Sequence, residues 1–84
     1  MSYTIFLKHS AEKELEGLSL KTHNKIVRKL IALKEEPLPK GVKKLQGRSG
    51  YRIRVGGYRI LYEISETDKQ IEIFSVAHRK DVYR

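Results

Sequence analysis

The chain has 84 residues, room for one hydrophobic core and not two, and it contains no cysteine. That excludes a disulfide framework, a thiolate zinc site and a thiol nucleophile. Eighteen Lys and Arg against ten Asp and Glu leave a formal charge of +8 and a pI near 9.9, a balance that favours a polyanionic partner, nucleic acid first.

The amino-terminal MSYTIFLKHSAEKELEG lacks the apolar core of a signal peptide, and no segment approaches the roughly 18 apolar residues of a membrane span. A cytoplasmic protein with no membrane association is therefore expected. Within this stretch, residues 3–7 (YTIFL) are β-branched and aromatic enough for a short strand. Ser10 is a candidate N-cap for a brief helix whose apolar stripe is Ala11, Leu15 and Leu18, with Gly17 helping to end it. Ser19 can cap a second helix, in which Ile26, Val27, Leu30, Ile31 and Leu33 form the apolar face while Lys21, Lys25, Arg28, Lys29 and Lys34 stay in water. Pro37 and Pro39 stop it, and KGVKKLQGRSG (40–50) reads as a basic connector.

From Tyr51 the hydrophobic period changes from 3.6 to 2. YRIRV and YRILYEI are strand segments joined across Gly56-Gly57, a dipeptide suited to a tight hairpin turn. Glu66-Thr67-Asp68 leads by a β-turn into KQIEIFSVA, whose alternation is less regular. The expectation is a single α+β domain over residues 1–84 with the order βααβββ. It would be a twisted, mostly antiparallel sheet with a helical hairpin on one face and the other face open.

Strand alternation puts Arg52 and Arg54 on one face and Tyr51, Ile53 and Val55 on the other. Arg59 can join the two arginines across the turn, and Lys43, Lys44 and Arg48 lead into the same region. Like charges on adjacent strands repel, so such a cluster tolerates a local cost that an anionic ligand would offset. The carboxyl-terminal stretch adds His78, Arg79, Lys80, Tyr83 and Arg84. Arginine stays protonated and can only bind and neutralise charge, whereas an imidazole or a phenol exchanges protons. Tyr83 and His78 are thus the proton-transfer candidates. A phenol is a weak base at its ordinary pKa of about 10, and neighbouring arginines lower that value.

The other polar groups have simpler explanations. His9 and His23 lack metal-ligand spacing. Glu12, Glu14, Glu16, Glu35 and Glu36 suit i,i+4 pairing with lysines, Glu63 suits a cross-strand ion pair on the face of Arg59, and Tyr51, Tyr58 and Tyr62 suit the core.

LQGRSGYRIRVGGYRILYEI followed by FSVAHRKDVYR resembles the carboxyl-terminal half of RelE-type toxins of the RelE/ParE superfamily, and the element order matches over nearly the whole chain. The resemblance implies a type II toxin, a metal-independent endoribonuclease that cuts mRNA in the ribosomal A site and so arrests translation. It also implies neutralisation by a RelB-like antitoxin in a complex able to bind operator DNA, and it implies no cofactor. By the same resemblance Arg59, Arg79 and Tyr83 match the positions that bind the phosphate, stabilise its charge and accept the proton. Lys43, Lys44, Arg48, Arg52, Arg54, His78, Lys80 and Arg84 would bind RNA. Arg52 and Arg54 depart from the lysines of well-known members, which removes proton-transfer capacity and adds bidentate phosphate binding. The alternatives are a ParE-like toxin that inhibits DNA gyrase without cutting nucleic acid, and a plain RNA- or ribosome-binding module.

Overall fold

The computed structural model describes residues 2–78. The elements run β1 (Thr4–Leu7), α1 (His9–Glu16), α2 (Leu20–Glu35), β2 (Lys43–Lys44), β3 (Tyr51–Val55), β4 (Tyr58–Ser65) and β5 (Gln70–His78). The expected α+β order is present with one addition, the two-residue β2 inside the basic connector. In the sheet the strands lie in the order β1-β5-β4-β3-β2. The three pairings among β2, β3, β4 and β5 are antiparallel, and β1 joins β5 in parallel with Ile5 aligned to Ile71.

That parallel pairing decides where α1 begins. The Lys8 N–H donates to the Ile73 carbonyl at 2.9 Å, which keeps the chain extended through Lys8, and the Glu12 N–H closes the first turn on the Lys8 carbonyl. The helix therefore starts at His9, and Lys8 holds the cap position with no side-chain cap bond. Ser10, expected as the cap, lies two residues past the cap position because the strand ladder outweighs about 1 kcal/mol of cap chemistry. In α2 the Ser19 hydroxyl does accept from the Thr22 N–H, at 3.4 Å.

Ala11 and Leu15 of α1 and Ile26, Leu30 and Leu33 of α2 pack on Ile53, Ile60, Tyr62, Ile71, Ile73 and Val76 of the sheet in one contiguous cluster. The uneven alternation of β5 has a structural cause. Leu61 aligns with Ser75 but Tyr62 with Ile73, so Phe74 is an extra residue in a bulge. Ile73 and Val76, three apart, consequently both face the core.

Four side-chain hydrogen bonds fix the connector after α2 and the β4–β5 turn. Tyr62 is fully buried and its hydroxyl donates to the Pro37 carbonyl at 2.7 Å, anchoring the connector after α2. Burial pushes this phenol up to about 12. At the far end, the Ser65 hydroxyl accepts from the Asp68 N–H and Lys69 takes a φ of 53°, which forms the β4–β5 turn. Tyr3 and Lys69 both donate to Glu66, at 2.8 and 3.2 Å, and these bonds hold its carboxyl below the ordinary range. No helix among the described residues is long and apolar enough to cross a membrane.

Candidate nucleic-acid interface

The helices cover the face that carries Ile53, Ile60 and Tyr62, so the alternate residues of β3 and β4 point to the opposite face, the one that no described helix covers. Register then fixes who meets whom. Arg54 is aligned with Arg59 and Arg52 with Leu61, while Lys43 on β2 is aligned with Arg52. Arg52, Arg54, Arg59 and Lys43 thus share one face across three adjacent strands. Directly opposite partners have Cβ atoms about 5 Å apart, so Arg54 and Arg59 form a like-charge pair at close range.

Arg59 differs from the others in its burial. It is only 1% exposed, the one buried charged residue among those described, whereas Arg54 is exposed and Arg52 is half-buried. Beyond Arg59 the row continues to Ala77 on β5. A buried guanidinium at the centre, a second directly across and further cations toward the edge make a graded positive field suited to a phosphate. Charge in a partly desolvated setting acts more strongly than the same charge in water.

The remaining candidates are dispersed. Arg48 lies with its guanidinium 3.9 Å from the centroid of the Phe74 ring and pairs with Glu63 at 3.3 Å. Glu63 lies four residues along β4 from Arg59, about 13 Å at the usual strand rise, so Arg48 borders the cationic row from its far side. Ser49 also donates to Glu63, at 3.0 Å. Glu63 does form an ion pair, but its partner Arg48 comes from the connector and not from a facing strand. Lys44, aligned with Tyr51, falls on the opposite side of the strand from Lys43. His78 is aligned with Tyr58, packs edge-on against its ring at 5.2 Å, and lies over Gly57 of the hairpin turn. Alternation therefore places its ring on the other side of the sheet from Arg59, at the same end. Arg79, Lys80, Tyr83 and Arg84 lie outside the described residues.

Two further cations belong to this region, Lys29, which helical periodicity assigns to solvent, and Lys40, which opens the basic connector. Lys29 of α2 and Lys40 of the connector line a groove of about 370 Å³ together with Gly41, Lys43, Arg52, Ile53 and Arg54. A helical wheel shows that Lys29 is polar-facing, but only the packing of α2 against β3 brings it to the edge of the sheet. Among the described residues no three His, Asp or Glu side chains gather as a metal site.

Comparison with known proteins bears on this arrangement. A family model described as the ParE toxin of the type II toxin-antitoxin system parDE matches residues 5–83. The protein described as toxin RelE1 of Methanocaldococcus jannaschii is 27% identical over 88 residues, covering 100% of this chain and 98% of that protein. The RelE chain of the archaeal RelE-RelB complex from Pyrococcus horikoshii OT3 superposes with a TM-score of 0.84 at 29% identity, over 94% of this chain and 97% of that chain. The isolated E. coli RelE toxin gives a TM-score of 0.81 at 26% identity, over 98% and 92% of the two chains. The α+β sheet with its helical hairpin is thus shared with RelE, and nearly the whole sequence falls within one family model. The chain belongs to the ParE toxin family and is a toxin of a type II toxin-antitoxin system within the RelE/ParE superfamily.

Proposed function

We propose that the chain acts as one toxin domain, a ribosome-dependent endoribonuclease that cleaves mRNA in the A site in the cytoplasm and so arrests translation. The observation that carries this reading is the alignment of buried Arg59 with Arg54 on the uncovered face. RNA supplies its own nucleophile. A base takes the 2'-hydroxyl proton, the oxygen attacks phosphorus, and the bond to the 5'-oxygen breaks as an acid protonates it, which leaves a 2',3'-cyclic phosphate and a free 5'-hydroxyl. Arg59 binds the phosphate, Arg79 stabilises its developing charge and Tyr83 accepts the proton. Arg52, Arg54 and Lys43 hold the neighbouring backbone, with Lys44, Arg48, His78, Lys80 and Arg84 as further contacts. A RelB-like antitoxin neutralises the toxin, a partner supported by the RelE-RelB complexes among its structural relatives, and the pair would bind its operator DNA.

The test is primer-extension mapping of a reporter mRNA in a bacterial translation extract, with wild-type protein, Tyr83→Phe and a ribosome-free control. Discrete cuts that need both ribosomes and Tyr83 support the assignment. The family model that matches is the ParE toxin, and this favours a second reading, inhibition of DNA gyrase without cleavage. Absence of cuts under translating conditions together with loss of gyrase supercoiling would establish that alternative.

A further inference from the structure

The groove at the β2–β3 edge is lined by five cations, Lys29, Lys40, Lys43, Arg52 and Arg54, with Gly41 and Ile53 as the other lining residues. Among the described residues no carboxylate lines it. The ion pairs formed by described residues engage Arg48 and Lys69, neither of which borders the groove. A sheet edge bearing five charges from α2, the connector, β2 and β3, with no ion pair to any of them among the described residues, is electrostatically costly in isolation, and an anion with several charges at regular spacing relieves that cost.

We infer that Lys29 and Lys40, with Lys43, form a second phosphate-binding subsite that takes the phosphodiester backbone of a single RNA strand as it leaves Arg52 and Arg54 and wraps around the sheet edge toward α2. As a position for the flanking strand, the subsite rests on the reading of the uncovered face as an RNA site. Its lining favours RNA over an acidic protein segment. An amphipathic peptide needs an apolar floor to bury its side chains, and here the single aliphatic lining residue, Ile53, is only 3% exposed. A phosphodiester backbone needs only cations and a channel. The groove also explains a geometric requirement, since a strand crossing the row from Arg59 to Lys43 runs perpendicular to the β-strands and meets the edge at β2.

The test uses purified full-length toxin and a fluorescent 12-nucleotide 2'-O-methyl RNA of mixed sequence, which cannot undergo 2'-hydroxyl attack, alongside a tetranucleotide of the same chemistry. Affinity is measured by anisotropy across a salt series for wild type and for the double variant Lys29→Gln/Lys40→Gln. Thermal melting confirms that the variant folds. The expected result is an approximately tenfold loss of affinity for the 12-mer near 0.1 M salt, with the slope of log affinity against log salt reduced by about 1.4, the value for two single-strand phosphates. The tetranucleotide, too short to span both sites, should lose less than about twofold on the same electrostatic grounds. An unchanged slope for the 12-mer, or equal losses for both lengths, overturns the subsite. So does an unchanged RNA slope with weakened binding of the antitoxin, which would assign the groove to protein. Because the probe cannot be cleaved, a reduced slope supports the subsite even if the translation extract shows no cuts, and in that case the nuclease reading alone fails.

Discussion

The Glu14 carboxylate accepts a hydrogen bond from the backbone N–H of Val76 at 2.9 Å, joining α1 to the last strand across 62 residues of sequence. The parallel ladder of β1 ends where Leu7 meets Ile73, so the outer edge of β5 beyond that point has no strand to receive its N–H groups. A side chain from the helix that follows β1 takes over. The helical acids read from periodicity as partners for lysines therefore include one that instead completes the sheet.

Glu14→Ala leaves the Val76 N–H without its acceptor. A stability loss of about 1–3 kcal/mol is expected, with Glu14→Gln recovering much of it because the amide oxygen still accepts. Thermal denaturation by circular dichroism checks this, and equal melting temperatures for Glu14→Ala and wild type would contradict it. For a domain of this size each kcal/mol moves the midpoint by roughly 4–8 °C.

Tyr62 makes alkaline stability predictable. Burial raises its folded-state pKa to about 12, while the unfolded phenol titrates near 10. Below pH 10 both states hold the proton and the stabilisation is fully present. Between pH 10 and 12 the unfolded state ionises first and stability falls, by on the order of 2 kcal/mol. Urea titrations at pH 9 and 11 should show a steeper loss for wild type than for Tyr62→Phe. At neutral pH Tyr62→Phe should itself cost about 1 kcal/mol, for the bond to the Pro37 carbonyl.

Gly50 precedes β3 with a φ of 126°, and a Cβ there would sit 2.8 Å from the Tyr62 carbonyl oxygen. Both the backbone conformation and the contact oppose any side chain. Gly50→Ala is expected to destabilise the fold by about 2–4 kcal/mol, measured by chemical denaturation. A change under 1 kcal/mol would mean that the loop from Leu45 to Gly50 relaxes freely.

Arg59→Ala should lower cleavage in the translation extract by about 10²–10³-fold. Arg59→Lys keeps the charge but loses the guanidinium fork, and an intermediate rate is expected. Antitoxin binding by both variants serves as the folding control. Wild-type rates in both would remove Arg59 from the proposed site.

Much of the fold was readable from local signals. The change of period at Tyr51, the Gly56-Gly57 turn and the Ser19 cap each correspond to a feature of the structure, because each depends on neighbouring residues alone. What escaped depended on distant ones. The start of α1 is set by Ile73, the bulge at Phe74 by the pairing of β4 with β5, and the partner of Glu63 by the course of the connector. At the site, alternation correctly grouped Arg52 with Arg54, and the hairpin register added Arg59. Helical periodicity places Lys29 in solvent because its neighbours in the groove come from other elements. His78 shows the complementary limit, since proximity in sequence to the basic tail gives no information on which side of the sheet its ring lies.

The place of β5 between β1 and β4 has a consequence for synthesis. The strand at the middle of the β1-β5-β4 order is the last to emerge from the ribosome, and it supplies Ile71, Ile73 and Val76 to the core. A nascent chain ending before Gln70 can form helices and the β3–β4 hairpin, but β1 has no neighbour and the apolar faces stay uncovered. Productive folding of the sheet therefore waits until β5 has followed both helices and the other four strands out of the ribosome.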